Sequence, residues 1–216
     1  MKPSTTMIKN YRSGSRDYLI RARQLLNSGE TAALFYAALE LRCGIEARMQ
    51  EYLEIAEDIS EKRKQGWRIA ELGKDLGKAF RLGDKIVQLI LVNAASGKRC
   101  KIYHTPVTAR LRKQGQQLGS YLHAMKVYRK PDDPCWTSLK VLLEETCEEL
   151  AVATKGTLLG PPLLHSNRKT FKMHHELEVD PHADEVMREI GRTREDVIVK
   201  VEYLDKLPAD RTHEPT

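Results

Sequence analysis

The sequence predicts a mainly α fold: a helical bundle carrying a β-hairpin and a small C-terminal β-α-β element. Three observations lead there. Apolar residues recur at steps of three and four through residues 15–57 and again within 106–154, the spacing of helices with one oily face. A capping residue directly before a proline occurs three times, at Thr105-Pro106, Asp133-Pro134 and Asp180-Pro181. Proline is preorganised for the first helical position, and Thr or Asp accepts a bond from the exposed amides. Two late stretches, "TFKMHHELEVD" and "EDVIVKVEYL", instead alternate with period two.

Taken in order, "SRDYLIRARQLLN" (15–27) sets Tyr18, Leu19, Ala22, Leu25 and Leu26 at helical spacing, and Gly29 stops it. A second helix is predicted over 30–57, with Leu34, Ala38, Leu41, Ile45, Met49, Tyr52 and Ala56 along one seam. Arg48 projects within about 20° of Leu41, inside that seam, whereas Arg42 lies at its edge, four residues before Glu46. A buried arginine without a partner is very costly, so Arg48 must snorkel, find a carboxylate or meet an anion. Residues 59–83 are broken by Gly66, Gly73, Gly77 and Gly83 and predict one or two short helices, with Trp67, Ile69, Leu72, Leu76 and Phe80 inward. "DKIVQLILV" reads equally as a strand or a helix end. The turn-like "NAASGKR" and the weakly alternating "CKIYHTPV" then favour a β-hairpin over 86–104. Helices follow at 106–128, 134–154 and 181–190. Around "KGTLLGPPLLHSNRK" a linker separates a basic helical bundle, 1–156, from a small acidic α/β appendage, 157–216.

At 216 residues, with 41% hydrophobic and 31% charged residues, the chain can bury a core and is too apolar for disorder. Its start has no apolar stretch of a secretory signal, and "KIVQLILVNAA" is about half a membrane span, so a cytoplasmic protein without membrane contact is expected. Cys43, Cys100, Cys135 and Cys147 form no CxxC pair and are expected to be reduced core residues. Residues 1–130 hold 25 Lys and Arg against 12 Asp and Glu, whereas residues 131–216 hold 11 against 18, giving +13 and −7. Such a basic front suits a polyanion, RNA or DNA. The same asymmetry arises if the two parts neutralise each other, and it equally suits an acidic protein partner or a homodimer.

The order "ARQLLNSGETAALFYAALELRCGIEARMQEYL" resembles the first helical hairpin of HEPN domains, over about residues 13–130. The resemblance implies a helical bundle of the kind found in bacterial toxins, defence proteins and metal-independent endoribonucleases. It also implies an Arg and a His, five to seven residues apart in sequence, acting on the scissile phosphate at a dimer seam. Strings of that kind are Arg99 with His104, and Arg168 with His174 or His175. A chain with 18 Arg and 7 His produces roughly two such matches by accident, so geometry must decide. Arg99-Cys-Lys-Ile-Tyr-His104 also falls where turn and strand are predicted.

A second basic cluster lies on one helix. In "ARLRKQGQQLGSYLHAMK" (109–126) Leu111, Leu118, Leu122 and Met125 form the buried stripe, and Arg112, Gln116, Gly119 and His123 line its flank. Arg110, Lys113 and Lys126 add charge, with Arg129 and Lys130 beyond. Such a helix can lie along a phosphate backbone, with Gly119 allowing close approach, or it can be a solvated face. "HHELEVDPH" puts His174, Glu176, Glu178 and Asp180 on one side of a strand, a spacing able to chelate, but no second cluster completes a site. No metal or cofactor is expected. The readings in order are a basic nucleic-acid- or partner-binding module, an HEPN-like ribonuclease, and a structural subunit that docks through its acidic tail.

Overall fold

The computed structural model describes residues 13–56, 59, 60, 62, 68–123, 130, 133–160, 163, 164, 171–174, 176, 185, 187, 188 and 197–208. Among these are five helices: α1 (Ser15–Asn27), α2 (Thr31–Glu54), α3 (Ile69–Phe80), α4 (Ala109–Tyr121) and α5 (Pro134–Ala153). The strands are β1 (Ile86–Asn93), β2 (Arg99–His104), β3 (Leu163–Leu164), β4 (Phe171–Lys172) and β5 (Val197–Leu204). The fold is mainly α with a small antiparallel sheet. No helix among the described residues is long and apolar enough to cross a membrane.

α2 is the central rod and touches α1, α3, α4 and α5. Its sequence explains why. Leu34, Ala38, Leu41, Ile45, Met49, Tyr52 and Ala56 are all buried, and they join Leu72, Leu111, Leu118, Leu139, Leu143 and Leu150 in one core. Ala37 and Gly44 are buried as well, so α2 is covered on more than its seam. Gly44 lets α1 and α5 pack close against α2, since a Cβ there would lie 3.1 Å from Tyr18 Cβ and 2.8 Å from Leu150 Cδ2. α3 faces inward through Ile69, Leu72 and Leu76, as its spacing predicts, while Trp67 lies outside the described residues.

The 86–104 segment is a hairpin. β1 and β2 pair antiparallel from Val87 opposite His104 to Val92 opposite Arg99. Asn93 shapes the turn: its Oδ1 accepts from Ala95 N (2.9 Å) and Ser96 N (3.0 Å), and Gly97 takes the positive φ of 70° that closes it. Val87, Leu89 and Leu91 share the inner face with Cys100, Ile102 and His104, all buried. Leu158 covers that face, and Met173 and Met187 pack against it.

The tail departs from the expected arrangement. β5 joins the hairpin, giving the strand order β2-β1-β5, with every pair antiparallel. Its alternation predicts a strand but names no partner. The match of Val199, Val201 and Tyr203 to Leu91, Leu89 and Val87 selects β1. The strand predicted over "TFKMHHELEVD" reduces, among described residues, to β4 at 171–172, paired with β3. The helix predicted over 181–190 lies largely outside the described residues. The division at 156 is crossed repeatedly, by β1 with β5, by Leu158 N to Tyr103 O (3.0 Å) and by Glu176 with Arg16 and Arg48.

α4 begins at Ala109, three residues later than its Thr-Pro pair predicts. Thr108 Oγ1 accepts from Leu111 N (3.1 Å) and is the cap, whereas Thr105 is buried and bonded elsewhere. α5 starts as expected, with Asp133 Oδ1 accepting from Cys135 N (2.9 Å) and Pro134 in the first turn.

Candidate functional site

Among the described residues the largest wholly buried side chain is Arg48, at 0% exposure. It lies at the end of α5, where the last helical carbonyls lack intrahelical partners and the helix dipole is negative. Nε donates to Ala153 O (3.0 Å) and to Tyr52 Oη (2.9 Å), and Nη2 donates to Gly156 O (2.6 Å). Nη1 donates to Glu51 Oε2 (2.8 Å) and to both oxygens of Glu176 (3.3 Å each). Of the three resolutions open to a buried arginine, the fold uses a carboxylate, supplemented by carbonyls.

The cluster extends outward. Arg16 grips Glu176 with two bonds of 2.8 Å, and Ser15 N and Oγ each donate to Glu51 at 2.9 Å. Tyr52 Oη donates to Thr105 O, and Thr105 Oγ1 donates to Ala153 O (2.8 Å) while accepting from Gly156 N (3.0 Å). Only glycine fits at 156, because a Cβ would lie 2.5 Å from Tyr103 O and 2.6 Å from Thr105 Oγ1. Burial works against the Arg48 charge, yet the oxygens of Tyr52, Glu176 and Glu51 outweigh it and raise its pKa further. Burial pushes the Glu176 carboxyl up, and Arg16 and Arg48 together pull it below its usual value. Tyr52 is raised by burial in spite of Arg48, so its phenol keeps its proton.

His104 occupies the next layer, 2% exposed, with Tyr52 and Phe80 rings at centroid distances of 4.7 and 5.8 Å. Its Nδ1 lies 3.2 Å from Leu158 O. A carbonyl only accepts, so the neutral ring carries its proton on Nδ1 and leaves Nε2 as an acceptor. Burial lowers its pKa to about 4, against the opposing pull of the Leu158 bond, and Arg48 lowers it further. A chamber of about 90 Å³ adjoins it, bounded also by Gly73, Gly77, Phe80 and Arg112.

Arg99 and His104 are not brought together. They stand at opposite ends of β2, five residues or roughly 17 Å apart, and the pleat puts them on opposite faces. Arg48 and His104 are interior. The α4 residues are at the surface, and α4 divides them. Arg110 points toward α5, where it meets Glu145 (2.9 Å) and Glu149 (3.4 Å). Arg112 lies toward α3, its Cδ against Gly73 and its Nη1 donating to Val107 O (3.3 Å). Gln116 projects within about 40° of Arg112 on the helix, His123 lies two residues past its end, and both are exposed, as is Lys113. Gly119 is close to Arg42 Nη1, so the space it opens is filled from α2, and Arg42 is held by Glu46 (3.0 Å). Lys130 is exposed; Lys126 and Arg129 lie outside the described residues.

A second concavity of about 810 Å³ lies between α1, α4 and α5. Arg23, Arg110 and Lys140 share it with Glu144, Glu145, Glu148 and Glu149, so its charge is mixed. Among the described residues no group of three His, Cys, Asp or Glu is placed to hold a metal ion. His174 lends its carbonyl to Leu159 N (2.9 Å), and Glu176 is spent on the two arginines. The four cysteines are free thiols, and burial raises Cys43 and Cys147 away from the reactive thiolate.

Sequence reasoning missed Glu176, Thr105 and Gly156 as partners of the buried arginine. Gly156 follows a predicted helix and Glu176 sits in an alternating stretch, and neither pattern points to a partner more than a hundred residues away. Compared with protein-family models, curated proteins and solved structures, the chain finds no match.

Proposed function

We propose that the protein is a helical module that binds the phosphate backbone of a nucleic acid along the outer flank of α3 and α4. The observation that supports this reading is which cations still face outward once internal pairs are made. Arg16, Arg23, Arg48, Lys85 and Arg110 are all turned to carboxylates of the acidic part: Glu176, Glu148, Glu176, Asp205 and Glu145. Much of the charge asymmetry is therefore internal. On the outer face of α4 Lys113 is exposed, about 60° round the helix from Arg110 and about 100° from the half-buried Arg112; His123 is exposed two residues past the helix end, and α3 adds exposed Lys74 and, at its end, Arg81. Helical spacing and the α3–α4 packing put these groups on adjoining surfaces, which suits repeated phosphates and reads no base edge. Cleavage is not part of the proposal, because Arg99 and His104 are apart.

Fluorescence anisotropy with single-stranded RNA and duplex DNA, titrated across salt, tests it. With about four phosphates engaged, log K should fall against log salt with a slope near −3. Lys74→Glu with Lys113→Glu should weaken binding on the order of tenfold or more and flatten that slope by about two. Failure to bind either polymer at low ionic strength, or indifference to the charge reversals, overturns the proposal.

A further inference from the structure

β5 gives one edge to β1, and among the described residues no strand takes its other edge. The far margin of the sheet is different, since Tyr103 O of β2 accepts from Leu158 N (3.0 Å). On β5 the inner row of the sheet continues through Val199, Val201 and Tyr203, in register with Leu91, Leu89 and Val87. That row is buried on β1, but Val201 is 40% and Tyr203 61% exposed, and Ile198 on the opposite face is 51% exposed. An eight-residue edge strand with apolar side chains on both faces is a template for strand addition.

We infer that β5 pairs antiparallel with β5 of a second copy of this chain, with Val201 on the two-fold axis, forming a continuous six-stranded sheet. Charge selects a second copy as the occupant and selects the register. Centred on Val201, Lys200 stands opposite the partner's Glu202, and Glu202 opposite the partner's Lys200, giving two opposite-charge pairs. The same register sets Val199 opposite Tyr203 and Ile198 opposite Leu204, apolar against apolar on each face. Centring on Lys200 opposes lysine to lysine and Ile198 to Glu202. Centring on Glu202 opposes glutamate to glutamate, and centring on Val199 opposes Ile198 to Lys200. Glu202 is already steadied over the sheet, because Gln88 Nε2 donates to its Oε2 (2.8 Å). A two-fold pairing also closes, consuming both β5 edges.

Sedimentation equilibrium on the full chain tests this, with about 49 kDa expected, twice the 24.7 kDa of one chain. Lys200→Glu alone and Glu202→Lys alone each oppose like charges twice and should weaken the dimer about tenfold or more. The double variant K200E/E202K recreates both pairs and should restore it. Equal melting curves for all four proteins separate lost pairing from lost folding. Val201→Cys should, on oxidation, give a reducible dimer that the wild type does not form. A monomer over the whole concentration range, single reversals without effect, or a double variant no better than the singles overturns the inference.

Discussion

Arg48 keeps its charge in the interior because every nitrogen of its guanidinium meets an oxygen, most of these on chain more than a hundred residues away. Glu176 is the partner whose loss should tell. Glu176→Gln leaves the buried cation with Glu51 alone as a carboxylate, and a cost of about 3 kcal/mol is expected in urea denaturation at pH 7. The carboxyl of Glu176 has its folded pKa depressed, so its contribution is present above its ordinary value of 4.5 and is lost as pH falls through the folded value. His104 acts in a higher window. Its pKa is about 4 in the fold against 6.5 when free, so the unfolded chain takes the proton first. Stability should fall from about pH 6.5, and the loss should be complete below about 4, amounting to roughly 3 kcal/mol. His104→Asn keeps an N–H for Leu158 O and carries no titrating group; it should flatten the stability profile between pH 6.5 and 4, measured by denaturant midpoints at several pH values.

At the scale of elements, the two threonines before α4 have different work. Thr108 caps the helix at a half-buried surface, and Thr108→Ala should cost about 1 kcal/mol. Thr105→Val removes a hydroxyl that both donates and accepts in the interior, stranding Gly156 N, and should cost more, about 2 kcal/mol. Thermal melts of the two variants side by side check the order; an equal or reversed order would mean that Thr105 is not the tie between β2 and α5. The Thr-Pro pair placed this helix three residues early because the side chain that accepts from the first turn is chosen in three dimensions. Asp133-Pro134 was legible because its carboxylate accepts from Cys135 N, within the turn that the pair itself begins. The hairpin was legible for a similar local reason: strand, turn and strand are contiguous. Which strand lies beside β1 was not, because alternation specifies a face and leaves the neighbour to packing.

Over the whole molecule, the α2 seam was readable residue by residue, since the apolar period alone decides which way a central helix faces. The anomaly of Arg48 was readable too, but its answer was not. The distance in sequence to Gly156 is 108 residues and to Glu176 is 128, and no local pattern records a contact of that reach. The candidate surface on α4 was visible as a cluster, yet the separation of Arg110 from Arg112 required knowing that α5 lies on one side and α3 on the other. Net charge left two readings open for the same reason, since a basic front and an acidic back are partly one another's counterions. The Arg48 cluster also bears on how the chain is made. Helix α2 leaves the ribosome early with a cation aimed at its own apolar seam, and the carbonyls and carboxylate that neutralise it are translated more than a hundred residues afterwards. Until then the first helices lack the oxygens that complete the interior around that cation.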